Sequence, residues 1–186
     1  ALTLAWRGKR AEVSTAYGTD LHETSCEMCG GCVRVCPAGA MLDRAAIGQG
    51  REKDLDRVTT ICPYCGVGCE MDLLVDARRN RIVRVDSTPG SPINNGALCV
   101  KGHFGFDYIS HPHRLTKPLI RREDVPAKGL NVDPGNPLTH FREATWEEAM
   151  TAAANGLSHL RDTKGGKSIA GFGSAKCSNE EAYLFQ

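Results

Sequence analysis

The chain has 186 residues, of which 41% are hydrophobic and 24% are charged, proportions typical of a soluble globular protein. Its formal net charge of +1 excludes the strongly basic surface that binds nucleic acid or an anionic membrane. No apolar stretch is long enough to predict a membrane-spanning helix. Aromatic residues make up 6% of the chain, which is few for a self-sufficient core of this length.

The first part of the chain, residues 1–55, is predicted to begin with two short strands. Residues 2–6 and residues 11–17 are rich in residues that favour strands, and a glycine-containing turn separates them. A cysteine-rich motif follows, after which residues 38–42 are predicted to open a short helix. Residues 48–57 are polar and contain two glycines, a composition that indicates a linker.

The second part, residues 56–115, is predicted to contain a β-hairpin. The apolar-rich runs at residues 71–75 and 81–86 flank a polar segment at residues 76–80. Two short strands around such a segment are typical of an antiparallel pair. Turn-forming residues then lead into Cys99.

The third part, residues 116–186, opens with a loop rich in proline, aspartate and glycine at residues 122–140. Thr145 and Glu148 have the spacing of a capping box, which predicts a helix that begins after Thr145 and ends at Gly165. The apolar residues of this helix fall on one stripe: Trp146, Ala149, Met150, Ala153, Ala154, Leu157 and Leu160.

The end of the chain is predicted to start an α/β layer. Residues 168–172 indicate a short strand, and Ser178 with Glu181 indicates the cap of a new helix. The chain leaves this helix after one or two turns, so we expect a fragment of a longer protein. The expected fold class is α+β.

The first cysteine motif consists of Cys26, Cys29, Cys32 and Cys36, followed by proline. Neighbouring members of this motif lie too close to pair as disulfides without strain, and the total of nine cysteines is odd. A tight loop of this spacing presents three sulfurs to three corners of a cubic iron–sulfur cluster, and Gly30 lets the backbone approach it. Such thiolates must stay reduced, which favours the cytoplasm.

The fourth cysteine of this motif is expected to serve a different cluster. In ferredoxins with two clusters, the cysteine before the proline binds the other cluster. Cys36 would then bind the same cluster as the cysteines of a second motif, which is expected upstream of Ala1. Two alternatives stay open: one cluster held by all four cysteines, and a zinc knuckle.

The second cysteine motif consists of Cys62, Cys65 and Cys69, and Cys99 completes it after 29 intervening residues. Four thiolates at this spacing also predict a four-iron cluster, with the hairpin as part of its housing. Lys101 follows the last cysteine by two residues, so we expect its charge to lie beside the cluster. A fixed cation there raises the reduction potential of an anionic cluster.

The two segments around these cysteines carry a family resemblance. Residues 61–69 and residues 96–102, which include the run Cys-Val-Lys-Gly, resemble the N-terminal iron–sulfur domain of molybdopterin-guanine-dinucleotide oxidoreductases. Residues 91–109, the following segment to residue 120, and residues 173–186 resemble the catalytic subunit of formate dehydrogenase. Residues 1–41 resemble the double-cluster domain that NAD-linked formate dehydrogenases share with the large iron–sulfur subunit of respiratory complex I.

The resemblance implies a reversible oxidation of formate to CO2 at a molybdenum or tungsten centre held by two molybdopterin guanine dinucleotides. It implies that electrons pass by Lys101 through two or more four-iron clusters to a partner subunit that binds flavin and NAD. It also places the metal-ligating residue and the formate-binding residues beyond residue 186, so no catalytic residue is expected in this segment.

Three more residues are candidates for contact with the pterin cofactor. Gly173 and Ser174 form a turn that could lie against a pterin phosphate, although a plain strand-to-helix turn is the simpler interpretation and is preferred. Cys177 resembles the segment before the family's metal ligand, and we expect a small packing residue at a helix start.

The expected domains are a ferredoxin-type cluster domain at residues 1–55, truncated at its N-terminus, a β-rich cluster domain at residues 56–115, and the start of an α/β molybdopterin oxidoreductase domain at residues 116–186. Two functions remain as alternatives: the catalytic subunit of an assimilatory nitrate reductase, and a standalone ferredoxin-like electron carrier. No metal-ligand spacing relates the histidines, apart from one pair predicted to lie in a surface loop: His22, His103, His111, His113, His140 and His159.

Overall fold

The computed structural model describes residues 1–125, 133 and 135–186. The contacts of the chain divide it into two compact units. The first unit comprises residues 1–108 together with residues 175–186, and the second comprises residues 109–174. Both contain helix and strand, which is consistent with the expected α+β class. The predicted domain boundaries near residues 55 and 115 remain predictions.

The first unit begins with a two-stranded antiparallel hairpin. Strand β1 (Leu2–Ala5) pairs with β2 (Glu12–Thr15), as the sequence predicts. Helix α1 (Gly31–Val35) then forms inside the first cysteine motif. The helix predicted at residues 38–42 is wrong, because this segment is irregular and turns through Gly39 at a φ of +64°.

A three-stranded antiparallel sheet forms the centre of the first unit. Its strands are β3 (Asp56–Ile61), β4 (Glu70–Asp76) and β5 (Arg81–Ser87), in the order β3-β4-β5. The predicted hairpin is therefore confirmed as β4 and β5. Strand β3 was missed because it begins inside the polar segment assigned to a linker, and its exposed side chains lack an apolar alternation.

The core of this unit is small. Among the described residues, the buried apolar side chains all belong to β4 and β5: Met71, Leu74, Val83 and Val85. Along β5 they alternate with more exposed residues, as the two-residue period of a strand requires. The register slips between Leu74 and Val75, which marks a β-bulge.

A buried carboxylate ties the three strands to the following loop. Asp72 on β4 is 3% exposed and accepts hydrogen bonds from Arg57 Nη1 at 2.9 Å, Thr59 Oγ1 at 2.7 Å and Thr88 Oγ1 at 3.1 Å. Burial acts to raise the pKa of this carboxyl group, but the three hydrogen bonds outweigh it and lower the pKa. Asp72 is therefore a satisfied structural anion.

Two short helices complete the first unit. Helix α2 (Val100–Phe104) begins directly after Cys99. Helix α4 (Asn179–Leu184) begins with a reciprocal capping box between Ser178 and Glu181, which confirms the predicted cap.

The second unit contains the hairpin β6 (Leu119–Arg121) and β7 (Phe141–Glu143) and helix α3 (Trp146–Lys164). Thr145 Oγ1 accepts the Glu148 N–H at 3.1 Å, and the helix ends at Gly165, as predicted. The Glu148 carboxylate binds Arg142 instead of closing the capping box.

Two further features of the second unit differ from the sequence prediction. Residues 169–172 are irregular rather than a strand, because the described strands of this unit pair only with each other and leave this segment no partner. The apolar stripe of α3 is exposed, and Trp146 is 71% exposed. The predicted loop at residues 122–140 lies partly outside the described residues, and its described end includes a short 3-10 turn at Pro137–Thr139.

Within the part of the chain that the structure describes, no helix has both the length and the apolar character needed to cross a lipid bilayer.

Candidate iron–sulfur centres

The loop of the first cysteine motif is shaped by its own backbone. Met28 has a φ of +53° and Gly30 has a φ of +77°, so two left-handed residues turn the loop tightly. The Met28 N–H points at Cys26 Sγ at 3.4 Å. Thr24 Oγ1 accepts the Cys26 N–H at 3.2 Å and donates to the Leu21 carbonyl at 2.7 Å. These bonds hold the sulfur of Cys26 in place.

Three of the four cysteines in this motif share one cavity. Cys26, Cys29 and Cys32 line a space of about 970 Å³, whose other walls are largely apolar and include Leu21 and Phe104. Thiols directed into an apolar space suit an iron–sulfur cluster, which binds through sulfur and is screened from water.

Cys36 lies in a different cavity, of about 650 Å³. The pKa of its thiol is lowered because backbone N–H groups, first that of Met41 and then that of Ala38, donate to the sulfur. The same cavity is lined by Ser87, whose buried hydroxyl has no hydrogen-bond partner among the described residues. The two cavities share walls, among them Val33 and Met41, and the assignment of Cys36 to a neighbouring cluster stays a prediction.

The second motif is closed by hydrogen bonds between distant segments. The Cys62 N–H donates to the Cys69 carbonyl at 2.8 Å. Asn94 then fastens the loop before Cys99 to the start of β4: its Oδ1 accepts the Glu70 N–H at 3.0 Å, and its Nδ2 donates to the Glu70 carbonyl at 3.1 Å. This clamp brings Cys99 back to the other three cysteines across the intervening hairpin.

The other three cysteines of this motif lie close enough to Cys69 for their charges to act on its thiol. The pKa of Cys69 is raised, first by burial and then by the negative charge that Cys62, Cys65 and Cys99 would carry on ionisation. Among the described residues, no three His, Cys, Asp or Glu side chains converge as they would around a single metal ion. A four-iron cluster has a different requirement, because each of its irons binds one thiolate. Its ligand sulfurs surround the whole cluster and do not converge on a single ion.

Helix α2 places the Lys101 side chain beside the second cysteine motif. The pKa of Cys99 is lowered because the backbone N–H of Gly102, then that of Lys101, donates to its sulfur, and the Lys101 charge adds to the effect. Gly102 permits the close packing, since a Cβ there would lie 3.3 Å from Leu98 and 3.5 Å from Cys62 Sγ. The Lys101 side chain is exposed, so its ammonium group can also face a second anion.

Tyr64, between Cys62 and Cys65, anchors the same loop in a way that sequence reasoning missed. Its hydroxyl donates to the Gly105 carbonyl at the end of α2. The Lys176 ammonium lies 5.2 Å from the centre of the Tyr64 ring, within the range of a cation–π contact. Segment 175–186 therefore contacts the cysteine loop of its own unit.

His103 was also missed, because its spacing to other histidines gives no signal. It is 5% exposed, and its ring faces the first cysteine motif from α2. The signal that could have identified it is its position four residues after Cys99, one helical turn away, where its backbone N–H meets the Cys99 carbonyl.

The remaining predicted contacts with a pterin lie at exposed positions. Gly173 and Ser174 are exposed and irregular. Cys177 lies in the turn before α4 and is exposed, so the expectation that it is a packing residue is wrong. The turn ends at the Ser178 cap of α4.

Three family models match this chain. Residues 20–42 match the 4Fe-4S binding domain, residues 55–111 match the molybdopterin oxidoreductase Fe4S4 domain, and residues 114–186 match molybdopterin oxidoreductase. The first two ranges contain all eight cysteines of the two motifs. The chain is thus similar to iron–sulfur domains over its first two matched ranges and to molybdopterin oxidoreductase over the third.

Curated relatives align with the whole chain. The "Probable oxidoreductase YjgC" of Bacillus subtilis is 32% identical and is covered over 21% of its length. The "NADPH-Fe(3+) oxidoreductase subunit alpha" of Geobacter sulfurreducens is 32% identical and is covered over 19%. The "Putative formate dehydrogenase SH0748" of Staphylococcus haemolyticus is 27% identical and is covered over 21%. The chain spans about a fifth of the length of these relatives.

Proposed function

We propose that this chain supplies iron–sulfur electron transfer within a molybdopterin oxidoreductase that oxidises formate reversibly to CO2. The observation that carries the proposal is the gathering of four thiols beside the Lys101 ammonium, in a segment that matches the molybdopterin oxidoreductase Fe4S4 domain. Similarity to a protein named as a putative formate dehydrogenase supports the substrate.

The proposed ligands follow from the two thiol groups. Cys62, Cys65, Cys69 and Cys99 hold one four-iron cluster. The three cysteines of the apolar cavity hold a second: Cys26, Cys29 and Cys32. Cys36 serves a neighbouring cluster from its separate cavity. The clusters supply one-electron carriers, and a molybdenum or tungsten centre with two guanine dinucleotides supplies the two-electron oxidation in the whole protein.

The residues around these thiols stabilise added charge. Backbone N–H groups directed at Cys26 Sγ and Cys99 Sγ act as fixed dipoles that favour the thiolate and a reduced, more negative cluster. Lys101 adds a full positive charge beside Cys99 and serves as the relay toward the pterin. Gly173, Ser174 and Cys177 stay candidates for pterin contacts.

The proposed electron acceptor is a partner subunit that binds flavin and NAD, and the proposed compartment is the cytoplasm, where thiolates stay reduced. A second candidate function is supported by the Geobacter sulfurreducens relative, which is named for electron transfer between NADPH and Fe(III). In that case electrons would enter from NADPH, and formate would have no effect.

The test uses the full-length protein, purified without oxygen and analysed for iron, molybdenum and tungsten. Formate, NADPH and nitrate are then added separately while the visible absorption of the clusters is followed. Formate is expected to bleach the oxidised clusters. Bleaching by NADPH alone would favour the second candidate, and reoxidation of reduced clusters by nitrate would favour a nitrate reductase.

Two further results would overturn parts of the proposal. Iron without molybdenum, tungsten or pterin in the full-length protein would favour a ferredoxin-like carrier. Formate oxidation by the isolated 186-residue chain would contradict the placement of the catalytic residues outside it.

A further inference from the structure

His103 makes hydrogen bonds to one predicted ligand from each of the two cysteine motifs. Its Nδ1 lies 3.2 Å from the carbonyl oxygen of Cys29. Because a carbonyl oxygen only accepts hydrogen bonds, Nδ1 carries the hydrogen and donates it. The backbone N–H of the same residue donates to the Cys99 carbonyl at 3.0 Å. One residue thus connects the first motif to the second through two hydrogen bonds.

The packing around this contact is tight. A Cβ on Gly30 would lie 2.5 Å from His103 Nδ1 and 3.0 Å from Phe104 Cζ, so the loop of the first motif lies directly against α2. The Phe104 ring stacks on the imidazole at 4.6 Å between centroids, with 16° between the planes. Phe104 also lines the apolar cavity that Cys26, Cys29 and Cys32 share.

We propose that His103 is a positioning residue that sets the separation of the two clusters and carries the electron path between them. This inference rests on the proposed function, because it requires both clusters. The path runs from Cys99 through the backbone N–H and the imidazole of His103 to the carbonyl of Cys29. With both clusters bound, the one electron lost by the reduced second cluster would be the one gained by the oxidised first cluster, and His103 would keep its Nδ1 hydrogen.

Two variants separate the hydrogen bond from the ring. His103→Phe keeps an aromatic ring for stacking on Phe104 but removes the donor to Cys29. His103→Asn loses the ring but places an amide N–H near the position of Nδ1. His159→Phe, at an exposed position of α3, is the matched control for the introduction of phenylalanine.

The experiment uses the full-length, cluster-loaded protein reduced with dithionite. Iron content and the EPR signal of each cluster report whether both are present. The magnetic interaction between the two reduced clusters reports their separation, and rapid-mixing spectroscopy reports the rate of electron equilibration between them. We expect His103→Phe to slow equilibration several-fold and to change the magnetic interaction. His103→Asn is expected to keep most of the wild-type equilibration rate and most of the magnetic interaction. His159→Phe is expected to behave as wild type.

The proposal is overturned when His103→Phe keeps both clusters with an unchanged rate and an unchanged magnetic interaction. It is also overturned when His103→Asn is as impaired as His103→Phe. Should His103→Phe lose the first cluster, recovery of its iron and of the magnetic interaction in His103→Asn supports the proposal, and failure to recover them overturns it. A wild-type protein without EPR-active clusters would instead overturn the proposed function itself.

Discussion

The two cysteine motifs are held by different kinds of structure. The first is a short loop whose shape comes from local hydrogen bonds and left-handed residues, such as Gly30, with one turn of helix beside it. The second is fastened by a three-stranded sheet, by the Asn94 clamp and by the Tyr64 hydroxyl. The buried apolar side chains among the described residues belong to β4 and β5, next to the second motif.

This difference predicts how much each proposed site depends on a bound cluster. A site that the polypeptide holds by itself should survive partial damage, whereas a site made of local turns draws its stability from the bound cluster. We therefore expect the second site to be the more preformed of the two. Four predictions test this comparison, from the largest expected effect to the smallest.

Removal of one ligand from each motif should give the largest effect. Cys69→Ser and Cys26→Ser are each expected to lose one cluster, which is about four iron atoms per molecule. After Cys26→Ser we expect the surrounding loop to lose order, whereas after Cys69→Ser the sheet should persist. Iron analysis, EPR and circular dichroism of the full-length protein measure these effects.

The matched control for these variants is Cys177→Ser, at an exposed cysteine outside both motifs, which should keep all of the iron. Full iron content in either ligand variant would contradict the ligand assignment, and loss of the sheet in Cys69→Ser would contradict the difference between the two sites.

Substitution of Gly30 tests the tight contact of the first loop. Gly30→Ala and Gly39→Ala both place a side chain at a positive φ, which costs roughly 1–2 kcal/mol of folding free energy. Only the Cβ of Gly30 meets other atoms, so overpacking should add about 1–3 kcal/mol there. The free energy of unfolding in urea is the measurement, and equal losses in the two variants would show that the contact with His103 adds nothing.

Asp72 tests the sheet that supports the second motif. Asp72→Asn replaces the buried charged acceptor of Arg57 and Thr59 by a weaker, neutral one, and should cost about 1–3 kcal/mol of unfolding free energy at neutral pH. The exposed Asp56 on β3 offers the matched control Asp56→Asn, for which little change is expected.

The pH dependence of this variant has a defined sign. The hydrogen bonds hold the pKa of the Asp72 carboxyl group below its value in the unfolded chain, about 3.9. The stabilisation is therefore complete well above that pH and is lost as the pH falls through the native pKa. The stability difference between wild type and Asp72→Asn should shrink in acid. A difference that grew as the pH fell would contradict this assignment.

The smallest effects are expected from single polar contacts at the two loops. Asn94→Ala removes the clamp of the second motif, and Thr24→Val removes the hydroxyl that binds the Cys26 N–H. Each hydrogen bond lost should cost about 0.5–1.5 kcal/mol. Asn94→Ala should speed the removal of iron by a chelator from the second cluster, and Thr24→Val from the first. The comparison fails if either variant affects both clusters equally.

Much of the local structure could be predicted from the sequence. The hairpin of β4 and β5, the caps at Thr145 and Ser178 and the end of α3 at Gly165 all depend on residues close together in the chain. The predictions for residues 38–42 and 169–172 failed because the conformation of each segment depends on the part of the chain that lies next to it in the fold. Backbone N–H groups of the first segment bind Cys36 Sγ instead of forming a helix, and the second segment has no strand to pair with.

The sequence by itself determined which residues are candidates for the chemistry, because the spacing of cysteines along a loop decides whether their sulfurs can share a cluster. Only the tertiary structure decided how the two motifs meet. The separate cavity of Cys36, the return of Cys99 through Asn94 and the position of His103 between Cys29 and Cys99 all depend on contacts between segments far apart in the chain. Such contacts follow from packing and hydrogen bonding across the fold, and no local pattern of residues specifies them.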